Sequence, residues 1–482
     1  MKSLLLAGLI WAANPATETL SAEQVERDIA IAREALETIH PGYARYQSRA
    51  HLDGLWTALE SAAAQGMSVG EFYLQVSHIL AEIRCDHTKA EFPDAIAAYR
   101  QEAELHLPFS FRIFDNRMYV DNPGESELLR GEEILSIDGI SPAERFAAIR
   151  PYMPVDGYTD HVRDNAMTDF GEFMATGFEQ FDTLLFPSDR LVELEVGGLD
   201  GTVRRETRRR LSYTDYVARL RGGTRYRNFS DDDAISVSYP ADGVAVLNVE
   251  TFVNYRTPVE PAAVLDPVFV EIRERGAHTL ILDLRRNGGG STDAQQGLMS
   301  YLVSEPHQPV LEVRAATYDL SASAEYISTW DRSALTPDPA WFTAREDGLY
   351  TIDPDIIGAS TVVEPAANGW TGELAVLTSY ANASGAATII GALKEQGRAT
   401  LIGEETGGSQ EGPTANIIFF LVLPESDITV RVPAQWTIQN VTDPVPGRGF
   451  DPDITAPLTY ETWLAGTDPA LESALQWAQN QR

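Results

Sequence analysis

The stretch Thr279–Gly290 reads TLILDLRRNGGG, and it decides the fold. Its first six residues are an apolar run of the length of a buried strand, and its last three are glycines that open a turn. A helical pattern at 261–275 and another apolar, β-branched run at 243–249 precede it. Strands that alternate with helices in this way form βαβ units around a largely parallel sheet. The sequence therefore predicts an α/β fold here.

The same alternation continues downstream and places a serine at a strand-to-helix junction. We predict a strand at 373–378, a helix at 384–396 and a strand at 399–402. Ser384 begins that helix, in the segment 382–386 that reads NASGA. Its hydroxyl would lie near the positive end of the helix dipole and beside free backbone N–H groups. This is the arrangement that a nucleophile next to an oxyanion site needs, although an ordinary helix cap fits the segment as well.

Two regions of different character come before this core. Residues 21 to about 100 read as helical, and Ser21 with Gln24 forms a capping box at their start. Residues from about 105 to 230 instead show short strands with turn signals. The five arginines within 202–210 are interpreted as a solvated face. The expected domains are a leader at 1–20, a helical domain at 21–104, a strand-rich domain at 105–230 and the α/β core at 231–482.

Composition narrows the possible partners. The chain has 482 residues, of which 44% are hydrophobic and 22% charged, so we expect folded domains without widespread disorder. The formal net charge is -34. A surface this acidic argues against nucleic acid and against docking on anionic lipid. The simpler interpretation is that the negative charge keeps the protein soluble, and the alternative is that it favours cationic substrates.

The first residues have the pattern of a secretory signal. Lys2 supplies one positive charge, and Leu4–Ala13 is an apolar run too short to span a bilayer. We therefore expect an exported protein, periplasmic or secreted, whose mature chain starts between Asn14 and Ser21. A frayed N-terminal helix is the alternative. No cysteine follows the run, so we expect no lipid anchor there.

Three other features carry potential chemistry. The glycines at 288–290 let backbone amides approach a ligand, although a tight turn explains them too, and a Walker lysine is missing. His87 is a potential base, and it lies two residues from Cys85, the only cysteine. We interpret Cys85 as a buried thiol. No cluster has the spacing of a metal site, so we expect neither metal nor cofactor.

Taken together, the segments resemble the family of C-terminal processing (tail-specific) peptidases and the tricorn core. Residues 282–290 are similar to the family's DLR-x-N-x-GG strand and turn. Residues 383–386 and 397–408 are similar to its nucleophile segment and the motif that follows, and 447–454 is similar to its G-x-G-x-x-PD ending. The resemblance covers most of the chain after residue 20 and implies a core related to the crotonase and Clp protease folds.

The resemblance extends to the region before the core. His40-Pro41 and Asp86-His87-Thr88 are similar to the N-terminal helical region of the tricorn-like branch. Residues 131–139 resemble the end of the PDZ-like domain that such proteins carry. A PDZ-like domain implies that a substrate C-terminus is held as an added strand.

One departure distinguishes two branches of the family. The processing branch uses a lysine base 25 residues after the serine, and that position is Ser409 in this chain. No lysine follows Lys394. The tricorn-like branch uses a histidine, and His87 matches its motif. The resemblance therefore implies a histidine base.

The implied activity is that of a serine peptidase acting on a peptide or protein. Ser384 would be the nucleophile of an acyl-enzyme mechanism and His87 its general base, with the backbone N–H groups of Gly289 and Gly385 as the oxyanion hole. Asp443 is the candidate orienting carboxylate, with Glu405 and Glu411 as alternatives. Two other functions stay open: a catalytically inactive relative that binds peptide or another ligand, and a crotonase-type acyl-CoA enzyme.

Overall fold

The computed structural model describes residues 14–168, 176–221 and 227–481. The predicted signal run Leu4–Ala13 lies outside them. The helices are α1 Ala22–Ile39, α2 Arg49–Ala62, α3 Val69–Glu82, α4 Asp94–Glu102, α5 Pro142–Ile149, α6 Val162–Ala166, α7 Gly177–Leu185, α8 Tyr213–Tyr216, α9 Pro261–Glu274, α10 Thr292–Ser300, α11 Ser384–Glu395, α12 Tyr460–Ala465 and α13 Pro469–Asn480. In the described part of the chain, no helix is long and apolar enough to cross a membrane.

The strands fall into three larger sheets and one two-stranded sheet. In chain order they are β1 Thr19–Leu20, β2 Met67–Ser68, β3 Ala90–Glu91, β4 Ser110–Phe114, β5 Arg117–Asn122, β6 Glu133–Ile137, β7 Leu191–Gly197, β8 Val203–Arg209, β9 Ile235–Ala241, β10 Val244–Val249, β11 Thr279–Asp283, β12 Val310–Ala315, β13 Ile327–Ser328, β14 Phe342–Ala344, β15 Tyr350–Ile352, β16 Glu373–Thr378, β17 Thr400–Gly403, β18 Thr414–Val422, β19 Thr429–Gln439 and β20 Ile454–Thr455.

Helix α1 begins where the sequence indicates. Ser21 and Gln24 form the predicted capping box of α1, and His40 is its C-cap residue. Helix α3 begins with a second capping box, formed by Ser68 and Glu71. These side chains satisfy N–H groups that the first turn of a helix leaves free, which fixes where each helix begins.

Strands β4 to β8 form an antiparallel sheet in the order β4-β5-β6-β7-β8. Asp115 and Asn116 both have positive φ, as the predicted turn between β4 and β5 requires. The arginines of β8 lie on both sides of the strand and pair with glutamates: half-buried Arg204 contacts Glu132 at 2.7 Å, and exposed Arg209 contacts Glu104 at 2.6 Å. The basic segment is therefore charge-compensated surface.

The predicted α/β core is confirmed. Its sheet has the order β20-β17-β16-β11-β10-β9, and only the β9–β10 pair is antiparallel. Strand β11 is central and pairs with β10 and β16 along its whole length. Helices α9, α10 and α11 pack on one face, which is why these strands are apolar runs without alternation. Helix α13 packs on the other face.

A second antiparallel sheet lies in the same region and was not predicted from the sequence. It contains the long hairpin β18–β19. The other strands of this sheet are β12, β13, β14, β15 and, from the N-terminal region, β3. The hairpin contributes Phe419, Leu421 and Val430 to one hydrophobic core with the N-terminal helices and the five-stranded sheet. The N-terminal regions are thus packed directly onto the polypeptide that follows Ser384.

Candidate active site

The strand-to-helix junction places Ser384 in an unusual backbone conformation. Strand β16 ends at Thr378, and Ser384 is the first residue of α11 with φ +48°. Serine rarely adopts this region, and such strain is found where a side chain must be presented in a fixed direction. The side chain is half-buried, and its hydroxyl makes no hydrogen bond within the described chain. An ordinary cap hydroxyl would bond the helix N–H groups, so this serine does not act as a cap.

The glycine turn after β11 packs directly against Ser384. At Gly289, φ is +108°, and a Cβ there would lie 2.9 Å from the Ser384 Cβ and 2.9 Å from the Gly385 nitrogen. Only glycine permits this approach. The Gly289 N–H donates to Asn287 Oδ1 at 2.8 Å, whereas the Gly385 N–H has no partner within the described residues. In this conformation Gly385 is the free donor at the predicted oxyanion hole, and the Gly289 amide is occupied.

Two buried asparagines fix the geometry between the glycine turn and the serine loop. Asn382 Nδ2 donates to the carbonyl oxygens of Leu284 and Asn287, at 2.5 Å and 3.1 Å. Its Oδ1 accepts the Ser379 N–H at 2.8 Å. Asn287 Nδ2 in turn donates to the Val249 carbonyl at 3.1 Å. Both asparagines are fully buried, and the sequence analysis assigned them no role.

His87 reaches the same cavity from the N-terminal region. It lies in the loop between α3 and β3, and its neighbour Thr88 is anchored by a 2.8 Å hydrogen bond to His40 Nε2. Ser384, His87 and Gly289 all line one cavity with a volume of about 2010 Å³. The imidazole Nδ1 of His87 is buried without a hydrogen-bond partner in the described residues.

A carboxylate that sequence reasoning missed lies beside this histidine. Asp156 is 5% exposed, and its Oδ1 accepts the Asp86 N–H at 2.9 Å. Donor atoms of Asp156, His87 and Cys85 all lie within 4.8 Å of one another. Burial raises the pKa of Asp156, and the neighbouring His87 charge opposes that rise. Asp156 also lines the cavity, so it is the candidate for the carboxylate that orients His87.

The carboxylates predicted for that role lie elsewhere. Asp443 is exposed, with φ +50°, and is not among the residues that line the cavity. Glu405 pairs with Arg448 at 2.6 Å. Glu411 accepts hydrogen bonds from Tyr46 and from the Gly447 N–H. Ser384 and His87 therefore line one cavity, and these three carboxylates are not among its lining residues.

Two further positions bear on the choice of nucleophile and base. Cys85 is buried, its thiol donates to the Thr414 carbonyl at 3.4 Å, and burial raises its pKa to about 12. A thiol that stays protonated is a poor nucleophile, which agrees with the interpretation of Cys85 as a buried thiol. Ser409 is buried and lies 3.4 Å from the Tyr46 hydroxyl.

Comparisons with solved structures show which proteins share this fold. Mature CPAF complexed with lactacystin is 16% identical, with a TM-score of 0.59 over 92% of this chain and 95% of that one. A point mutant of CPAF gives a TM-score of 0.62 at 16% identity, over 92% and 96% of the two chains. These likenesses show a shared fold. No curated protein sequence matches the chain.

The family assignment comes from the α/β core. Residues 243–456 match the model of peptidase family S41. The match contains the glycine turn, Ser384 and the strands β10 to β20. Over this segment the chain therefore matches peptidase family S41, and this match supports a serine-type peptidase.

Proposed function

We propose that the protein cleaves peptide bonds through an acyl-enzyme on Ser384, with His87 as general base and Asp156 as the group that orients it. The observation that carries the proposal is the strained Ser384, pressed against Gly289 on a cavity that His87 also lines. The alternative orienting residue, Asp443, lies at an exposed turn.

The proposed reaction needs no group beyond these side chains. The Ser384 Oγ attacks the carbonyl carbon of the peptide while its proton passes to His87 Nε2. The Gly385 N–H and the dipole of α11 stabilise the negative oxygen that develops. His87 then gives the proton to the leaving amine. In the second half of the reaction, water attacks the acyl-enzyme while its proton passes to His87. His87 returns this proton to the Ser384 Oγ as the carboxylic acid leaves. Asp156 at the Nδ1 side would keep the Nε2 lone pair available for the serine proton.

The direct test is covalent labelling with a fluorophosphonate probe. Wild-type protein should be labelled and should digest an unfolded protein substrate, and Ser384→Ala should do neither while keeping the wild-type melting temperature. Ser291→Ala is the matched control, because Ser291 lines the same cavity but accepts the Asn254 N–H at 2.9 Å. Labelling that survives Ser384→Ala would move the nucleophile to another residue, and an unlabelled wild type would favour an inactive ligand-binding relative.

We also propose that the protein is exported. The support is the charge and apolar run of residues 1–13. Ala16 and Leu20 are buried in the fold, and Thr19–Leu20 pairs with Met67–Ser68. The mature chain should therefore begin near Asn14 rather than Ser21. N-terminal sequencing of protein from its native compartment tests this, and an intact Met1 would contradict it.

Substrate delivery is the remaining part of the proposal. Strands β4 to β8 lie within 105–230, the region that the sequence predicts to be PDZ-like, and we propose that a substrate C-terminus adds to their sheet as a strand. A cavity of about 780 Å³ lies where this sheet meets residues 458–461. Peptides that differ only in a free or amidated C-terminus should differ in KM, and equal KM values would contradict this mode of binding.

A further inference from the structure

The cluster of Cys85, His87 and Asp156 has the donor set of a transition-metal site. We propose that it binds Zn²⁺ and that the bound metal switches off the base. Each residue offers one donor atom, and the three atoms lie within 4.8 Å of one another. The proposal that the cluster binds Zn²⁺ depends only on this geometry. The proposal that Zn²⁺ inhibits the protein rests on the proposed function of His87 as general base.

Two atoms in this cluster are buried and unsatisfied. His87 Nδ1 and Asp156 Oδ2 have no hydrogen-bond partner in the described chain. Asp156 is 5% exposed, so water reaches it poorly. Buried polar atoms without partners are costly, and a cation bound by these side chains would offset that cost.

The chemistry of the three donors selects zinc. A thiolate, an imidazole and a carboxylate match the ligands of tetrahedral Zn²⁺, and three protein ligands leave the fourth position for water. Bonds of about 2.0–2.3 Å place tetrahedral ligand atoms about 3.4–3.8 Å apart, so small side-chain rotations close the site. The Cys85 proton is released to solvent on binding, and the thiol gives up its hydrogen bond to the Thr414 carbonyl. The metal can enter through the cavity, which His87 and Asp156 line.

Occupation of this site is incompatible with general-base catalysis. A metal on Nδ1 leaves the imidazole proton on Nε2, and that nitrogen can no longer accept the proton of Ser384. The metal also withdraws Asp156 from its orienting role. Zn²⁺ should therefore be an inhibitor that a chelator reverses, and the apo protein should be the active form.

The first experiment detects the site without using activity. Co²⁺ is added to the full chain, and absorption is followed for thiolate-to-cobalt charge transfer. The chain contains a single cysteine, so any such band reports Cys85. We expect one Co²⁺ per chain with a charge-transfer band that Zn²⁺ abolishes. Binding without a thiolate band, or no binding, would overturn the proposal, whether or not the protein proves to be a peptidase.

The second experiment tests the inhibition with a matched pair of variants. Cys85→Ser removes the thiolate but no group of the proposed reaction, so it should keep wild-type labelling without metal. It should need at least about 10-fold more Zn²⁺ for half inhibition, since a ligand is lost. The control is His161→Gln, which changes another histidine that lines the cavity and should leave inhibition unchanged. Equal inhibition of Cys85→Ser and wild type would refute the inhibitory site, and the cobalt spectrum of the wild type decides the matter if the serine variant does not fold.

Discussion

At the scale of single residues, we expect different effects on turnover from substituting a buried carboxylate, Asp156, and an exposed one, Asp443. Asp156 Oδ1 accepts the Asp86 N–H, Oδ2 is buried without a partner in the described chain, and a carboxylate oxygen of Asp156 lies within 4.8 Å of donor atoms of His87 and Cys85. Asp443 lies on the surface, away from the cavity that Ser384 lines. An amide at the orienting position turns a donor toward Nδ1 and therefore stabilises the imidazole tautomer that cannot accept the serine proton.

Asp156→Asn should lower turnover by about 10⁴-fold, the scale on which a serine-hydrolase triad responds to the wrong tautomer. The melting temperature should stay close to wild type, because the amide oxygen still accepts the Asp86 N–H. Asp443→Asn is the comparison and should stay within a few-fold of wild-type turnover. The measurement is single-turnover acylation for both variants, and the reverse order of effects would restore Asp443 as the orienting residue.

At the scale of elements, the glycine turn and the N-terminus of α11 act as one unit. Gly289→Ala would place a methyl group against Ser384 and the Gly385 nitrogen, at a φ that alanine rarely adopts. Blocking the Gly385 donor alone should cost about 100- to 1000-fold in turnover. Gly288→Ala is the matched control, since its nearest contact would be the Ala381 oxygen at 3.7 Å. Equal turnover for the two alanine variants would show that the turn has no part in catalysis.

The elements also show what could be predicted from the sequence. The strands of the parallel sheet are continuous apolar runs, so they could be placed within a residue or two. The hairpin β18–β19 was missed because its burial is irregular and a register shift interrupts its pairing. Strand β18 does contain the apolar run 417–422, but neither strand alternates cleanly, and Pro433 within β19 argues against a strand interior.

The candidate site also contains residues that could be predicted from the sequence and one that could not. Ser384 and the glycine turn carry local patterns that a sequence displays, and the motif around His87 could be recognised by resemblance. Asp156 carries no pattern: it lies in a loop 70 residues from the Asp86 N–H that it binds. Its role depends on how the N-terminal helices pack against the chain after Ser384, and only the folded structure contains that information.

At the scale of the whole molecule, a buried histidine couples the fold to pH. His40 caps α1 and is 2% exposed. Its Nδ1 accepts the Gly42 N–H at 3.0 Å, and its Nε2 contacts the Thr88 hydroxyl at 2.8 Å. This is the bonding pattern of a neutral imidazole. Burial, reinforced by the nearby charges of Arg45 and His87, lowers the pKa of His40 to about 3.

The depressed pKa sets the sign of its contribution to stability. The unfolded chain binds a proton at this histidine below its ordinary pKa of about 6.5, while the folded protein does so only near 3. Its stabilising effect is therefore complete above about pH 6.5 and is lost as the pH falls toward 3, with a slope of about 1.4 kcal/mol per pH unit. His40→Gln cannot bind that proton. The variant should be less stable than wild type at pH 7, because it loses fitted hydrogen bonds, but the difference should shrink by about 2.3 kcal/mol between pH 6.5 and 4.5. Urea unfolding of both proteins at a series of pH values measures this, and parallel stability curves would mean that His40 is not held neutral in the folded protein.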